Sequence, residues 1–92
     1  MTMPADKKDE VRRGVQELIS QVLERKRTPK KPEEIVDGLS LTRDLGIDSL
    51  DILQLTAVVE KRYALKIPEA ELRGMDDLSG IIGAVERHWP AK

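Results

Sequence analysis

A serine set between two carboxylates, Asp48-Ser49-Leu50-Asp51, is the one place in this 92-residue chain where residue types and spacing suggest chemistry. An alcohol oxygen becomes a nucleophile when a neighbouring base takes its proton, and that base is ordinarily a histidine or a lysine. The stretch from Leu41 to Leu55 holds neither. The single histidine, His88, lies near the end of the sequence, and there is no cysteine. Thiolate nucleophiles, disulfides and thiolate metal sites are excluded, and one imidazole makes no histidine metal cluster. Ser49 therefore reads as a serine that is acted upon. In the first turn of a helix opened by Asp48, it would hold a phosphate ester where unpaired amides and the helix dipole favour an anion.

The elements that must position this serine are helices. Val11, Val15, Leu18, Ile19, Val22 and Leu23 form one apolar stripe and predict a helix from about Asp6 to Lys26. Gly14 weakens it by under about 1 kcal/mol relative to alanine. The run Arg25 to Pro32, with two prolines and five basic residues, predicts a solvated loop that ends it. From Pro32 to Asp48, Ile35, Val36, Leu39, Leu41, Leu45 and Ile47 should pin a long connection onto the bundle, with a helical turn near Leu41 to Asp44.

Asp48 is the N-cap of a second helix running to about Tyr63. Asp51 suits its positive end, and Lys61 and Arg62 suit its negative end. Ile52, Leu55, Val59 and Tyr63 make an inward stripe. Leu50, Leu53 and Ala57 make a second one, which is either further core or a surface that meets another protein. Ala64 to Pro68 should run extended, since a residue before proline leaves the α region. A short helix from Glu69 to Arg73 ends at Gly74. The last helix, Asp76 to Arg87, is capped by Asp76 or Asp77 and buries Leu78, Ile81, Ile82 and Val85, with His88 and Trp89 finishing it. No strand pattern or repeat is present. The expected fold is all-α, an antiparallel bundle of three main helices and one short one with a long first loop. It forms a single domain over 1–92 with its core at about 11–88.

A chain of this length buries only about 60–65% of the surface its unfolded form exposes, which leaves little room for a deep catalytic cleft. No run of about 18 apolar residues exists to span a membrane. The first ten residues, MTMPADKKDE, lack the apolar region of a secretory signal. A soluble, cytoplasmic protein is expected. The net charge of −1 divides unevenly, with +4 over residues 1–31, −6 over 32–60 and +1 over 61–92. The acidic third holds Ser49. A nucleic-acid partner is not expected, because only the Arg25–Lys31 loop is basic and no basic recognition helix accompanies it.

Leu45-Gly46-Ile47-Asp48-Ser49-Leu50-Asp51 resembles the Leu-Gly-x-Asp-Ser-Leu-Asp signature of acyl carrier proteins. Asp44, Leu55, Glu60, Ile67-Pro68 and the apolar positions of the last helix also fall where that family has them. The resemblance covers Val11 to His88 and is tightest from Leu41 to Pro68. It implies an acyl-carrier-like four-helix bundle that performs no chemistry itself. Ser49 would receive 4′-phosphopantetheine from a phosphopantetheinyl transferase, and the arm's thiol would hold an acyl chain as a thioester. Asp48 would help that transferase hold its magnesium. Leu50, Leu53 and Ala57 would lie in the partner-facing patch, with Asp51 and Glu60 as acidic contacts. Leu55, Val59, Tyr63, Ile67, Leu72 and Leu78 would line the interior that shelters the acyl chain. The partners implied are acyl-loading and acyl-transfer or synthase enzymes of fatty-acid, lipid or secondary-metabolite biosynthesis, met by a monomer.

Gln54, Lys61 and Arg62 stand where the family commonly has acids, and the loop Arg25 to Lys31 is a longer, basic insert. Both departures point to a specialised member, serving a lipid, lipid A or secondary-metabolite pathway. A peptidyl or aminoacyl carrier and an unmodified helical interaction protein are the alternative readings.

Overall fold

The computed structural model describes residues 3–90; residues 1, 2, 91 and 92, which the single-domain reading includes, lie outside them. Four α-helices follow in order: α1 Ala5–Arg25, α2 Ser49–Tyr63, α3 Glu69–Leu72 and α4 Leu78–Arg87. A 3₁₀ turn, Pro32–Glu34, lies in the long first connection. The fold is all-α, and the described residues contain no strand. α1 is the hub, packing against both α2 and α4. All six residues of its apolar stripe are buried, against Ile52, Leu55 and Val59 of α2 and Leu78, Ile81, Ile82 and Val85 of α4. This aliphatic interior drives the assembly, since burying each such side chain stabilises by about 1.5–3 kcal/mol.

Both helices end where the sequence places them, but the residues just beyond differ from expectation. α1 closes at Arg25 with Lys26 as its cap, and Arg27 takes a left-handed conformation (φ 63°) that lets the Thr28 N–H reach the Leu23 carbonyl at 3.0 Å. α2 closes at Tyr63, and Ala64, expected to be extended, is left-handed instead (φ 54°), with the Leu65 N–H bonding the Glu60 carbonyl. Glycine is the usual residue for such an ending. With none at either position, the left-handed turns left no mark in the sequence.

Gly14 plays a different part from the one its helix propensity suggests. A methyl group added there would run into the Tyr63 hydroxyl and press on the Arg62 guanidinium at 3.2 Å. Tyr63 is half-buried and packs against Trp89, with ring centroids 6.0 Å apart. Gly14→Ala is therefore expected to bring no stabilisation. Its propensity gain of about 1 kcal/mol is offset by displacing Tyr63. Urea unfolding should show an unchanged or lowered midpoint, and a full propensity-sized increase would show that Tyr63 moves aside freely.

The first connection is strapped to the polar side of α1. The Ser20 hydroxyl donates to the Lys30 carbonyl at 2.6 Å, Gln16 Nε2 to the Ile35 carbonyl at 2.9 Å, and Arg12 pairs with Asp37 at 2.7 Å. Ile35, Leu41, Leu45 and Ile47 are buried as expected, and Leu39 is half-buried. Val36 is not an anchor. It is 52% exposed, because the chain turns outward between Ile35 and Leu39.

Candidate functional site

The loop before α2 is built to deliver one residue. Leu41 is wholly buried, donates its N–H to the Asp76 carbonyl at 2.6 Å and accepts from the Ile47 N–H at 2.8 Å. Between these points the chain makes a turn closed by Asp44, whose carboxylate accepts the Ser40 N–H at 2.7 Å. Gly46 then adopts φ 71°, a left-handed conformation that an L side chain takes only at a cost. Nothing lies within 4 Å of where its Cβ would be. Its role is thus conformational.

Asp48 caps α2 through a reciprocal box. Its Oδ1 accepts the Asp51 N–H at 2.9 Å, while Asp51 Oδ2 accepts the Asp48 N–H at 3.3 Å. Ser49 is the first residue of α2 and is exposed. Among the described residues its hydroxyl has no hydrogen-bond partner, and the amides of Ser49 and Leu50 have no acceptor. A phosphate on Ser49 Oγ would meet these two free N–H groups, so the site fits a phosphoester. Among the described residues the hydroxyl bonds no base, and the one imidazole, His88, is engaged with Glu71 at the end of α4.

The other serines differ. Ser20 and Ser40 spend their hydroxyls on internal bonds, to Lys30 and Asp76. Ser79 is exposed in the first turn of α4, but no glycine-turned loop leads to it.

The two acids of α2, Asp51 and Glu60, are not free. Lys26, just past the end of α1, places its Nζ 2.8 Å from Asp51 and 3.9 Å from Asp48. The hydrogen bond from Lys26 holds the Asp51 carboxyl below the usual range, despite some burial. Glu60 turns inward and accepts the Ile67 N–H at 2.7 Å. Leu50 and Leu53 face solvent at 62% and 47% exposure, and Ala57 is exposed with them.

Beside Ser49 lies a cleft of about 170 Å³, lined by Ile52 and Leu53 of α2 and by Glu69, Leu72 and Arg73 at α3. Of the six interior positions drawn from the family, Leu72 borders it. Leu55, Val59, Ile67 and Leu78 are packed into the core, and Tyr63 stands against Trp89 at the far end of α2. Ile52, Glu69 and Arg73 line the cleft without having been singled out as site residues in the sequence. Ile52's place in the inward stripe was the available signal.

Asp77, not Asp76, caps α4, its Oδ1 accepting the Gly80 N–H at 2.7 Å. Asp76 is used instead as the clasp of the loop. It accepts the Ser40 hydroxyl at 2.5 Å and the Thr42 hydroxyl at 2.7 Å. Those bonds, from Ser40 and then Thr42, hold its carboxyl below the usual range. Glu71 of α3 is tied to α4 by His88 and by Arg87, and these contacts, in that order, lower its carboxyl as well.

A carboxylate whose pKa is lower in the folded than in the unfolded state stabilises above its unfolded value. That contribution is lost as pH falls through the folded value. Asp51, Glu71 and Asp76 all have this sign. Stability should therefore be level from neutral pH to about 5 and decline below about 4. Asp76→Asn should lower the urea midpoint at pH 7 and flatten the acid limb. An acid limb as steep as the wild type's would show that Asp76 contributes nothing to it.

An unencumbered serine at the head of a helix, delivered by an anchored loop and lacking a base of its own, defines a small helical domain that receives a group. The chain belongs to the phosphopantetheine attachment-site family, which matches residues 13–85. The family's cofactor, 4′-phosphopantetheine, is joined covalently to a serine. Over 79 residues, 86% of this chain, it is 29% identical to the meromycolate extension acyl carrier protein of Mycobacterium bovis, of whose length the match covers 64%. The protein of the same description from Mycolicibacterium smegmatis is 28% identical over 79 residues, 86% of this chain and 75% of that one. The acyl carrier protein of Zymomonas mobilis is 28% identical over 58 residues, 63% of this chain and 74% of its own. The chain thus spans a little under two thirds of the Mycobacterium bovis relative.

Proposed function

We propose that this chain is an acyl carrier. Ser49 bears 4′-phosphopantetheine, and the arm holds an acyl chain as a thioester that partner enzymes of lipid or fatty-acid biosynthesis act on in turn. The observation that carries the assignment is the exposed, unpartnered Ser49 hydroxyl beside two free amides at the head of α2, in a chain of this family. Similarity to acyl carrier proteins favours acyl cargo over aminoacyl cargo.

The chain performs no chemistry of its own. An external phosphopantetheinyl transferase supplies the base, and Asp48, whose side chain is two-thirds exposed, is available to its metal ion. Leu50, Leu53 and Ala57 form the contact patch around the arm. The α2–α3 cleft is where an acyl chain first leaves solvent, and the packed core beyond, with Leu55, Val59, Ile67 and Leu78, has to part for a longer one. One domain acts as a monomer in the cytoplasm, and among the described residues no helix is long and apolar enough to cross a membrane.

The test is to isolate the protein from cells that make it and map its modifications by peptide mass spectrometry. An arm on Ser49 whose acyl group is released by neutral hydroxylamine is expected. An arm on Ser79, or no arm on any of the four serines, would contradict the assignment.

A further inference from the structure

The solvent face of α2 offers almost no free carboxylate. Beyond Ser49, exposed along it are Leu50, Leu53, Gln54, Ala57, Val58, Lys61 and Arg62. At spacings of four, three and four, Leu50, Gln54, Ala57 and Lys61 share one stripe, so a partner seated on the helix meets apolar groups first and then a cation. The helix has two acids, and both are drawn away. Glu60 turns to the Ile67 amide, and Asp51, its side chain only 18% exposed, is bound by Lys26. At the helix head, Asp48 keeps an outward oxygen, but Lys26 stands 3.9 Å from it. Val58 borders a groove between α1 and α2 that also holds Arg25, which adds a second cation at that edge.

We propose that Lys26 is a specificity-determining residue: by neutralising Asp51 beside Ser49, it leaves α2 with an apolar, cation-edged docking face. This inference rests on the carrier reading above. The partner that such a face fits is an enzyme whose contact surface is apolar at its centre and carries carboxylates at its rim, opposite Lys61 and Arg25. An arginine-rich docking surface is drawn less to this face, because the Asp51 carboxylate already has a cation 2.8 Å away. Charges at the edge of an interface act mainly on encounter rate, and their effect fades with salt.

The experiment measures kcat/KM for arm transfer from coenzyme A to the full chain, using a phosphopantetheinyl transferase whose carrier-docking surface is arginine-rich. Lys26→Ala frees Asp51 and should raise kcat/KM about three- to tenfold at low ionic strength, with the gain gone by about 0.5 M NaCl. Lys26→Arg keeps the charge and should bring the rate back down. Asp51→Asn in the Lys26→Ala background should cancel the gain, with circular dichroism showing that each variant keeps its helices. Equal kcat/KM for wild type and Lys26→Ala at low salt would overturn the inference while leaving the carrier assignment intact. So would a gain that persists at high salt or survives Asp51→Asn. A wild type that takes no arm from a transferase active on a control carrier would overturn both.

Discussion

Ser49→Ala is expected to take no arm at all while keeping the fold. The loss is complete because the modification is a covalent bond to one oxygen, and no neighbouring hydroxyl is presented in the same way. Ser40 is clasped by Asp76 and Ser20 by the Lys30 carbonyl. The fold survives because Asp48, not Ser49, supplies the cap. Ser49 is exposed, and substitutions at such positions change stability by within about 0.5 kcal/mol. Urea unfolding and circular dichroism should match the wild type. A variant that is still loaded would remove Ser49 from the account, and one that fails to fold would give the serine a structural role that its exposure does not show.

The second large effect is structural and lies eight residues upstream. Leu41→Ala should cost about 2–5 kcal/mol, the range for truncating a fully buried leucine. That is a large share of the roughly 5–15 kcal/mol that holds a domain together. Leu41 has no exposed surface, and its backbone joins Asp76 on one side and Ile47 on the other. The cavity would therefore loosen the segment that carries Gly46 and Asp48 to the head of α2. Arm transfer to the folded fraction should also slow. Urea unfolding followed by loading kinetics at a temperature where the variant is folded checks both parts. A cost under about 1 kcal/mol would mean that the loop is held by its polar contacts alone.

The helices and the exposed serine at the head of α2 were legible from local pattern. α1 and α4 announce themselves by apolar stripes with one buried face, and Asp48 caps α2 through bonds to a residue three positions away. What was not legible depends on distance along the chain. The Ser40–Asp76 clasp joins residues 36 positions apart, and the His88–Glu71 contact spans 17. No local pattern marks either one. Two adjacent aspartates offered equal caps for α4, and tertiary contact gave one of them to the loop. Arg27 and Ala64, just past the ends of α1 and α2, take a conformation that glycine would have signalled. The Lys26–Asp51 pair belongs to the same group: each residue is unremarkable in its own segment, and the packing of α1 on α2 makes them one feature.

The most direct test of the carrier assignment is the intact mass of the wild-type protein before and after incubation with coenzyme A and a broad-range phosphopantetheinyl transferase. The account predicts a gain equal to one phosphopantetheine, on one site. An unchanged mass, with the same transferase active on a control carrier, would contradict it.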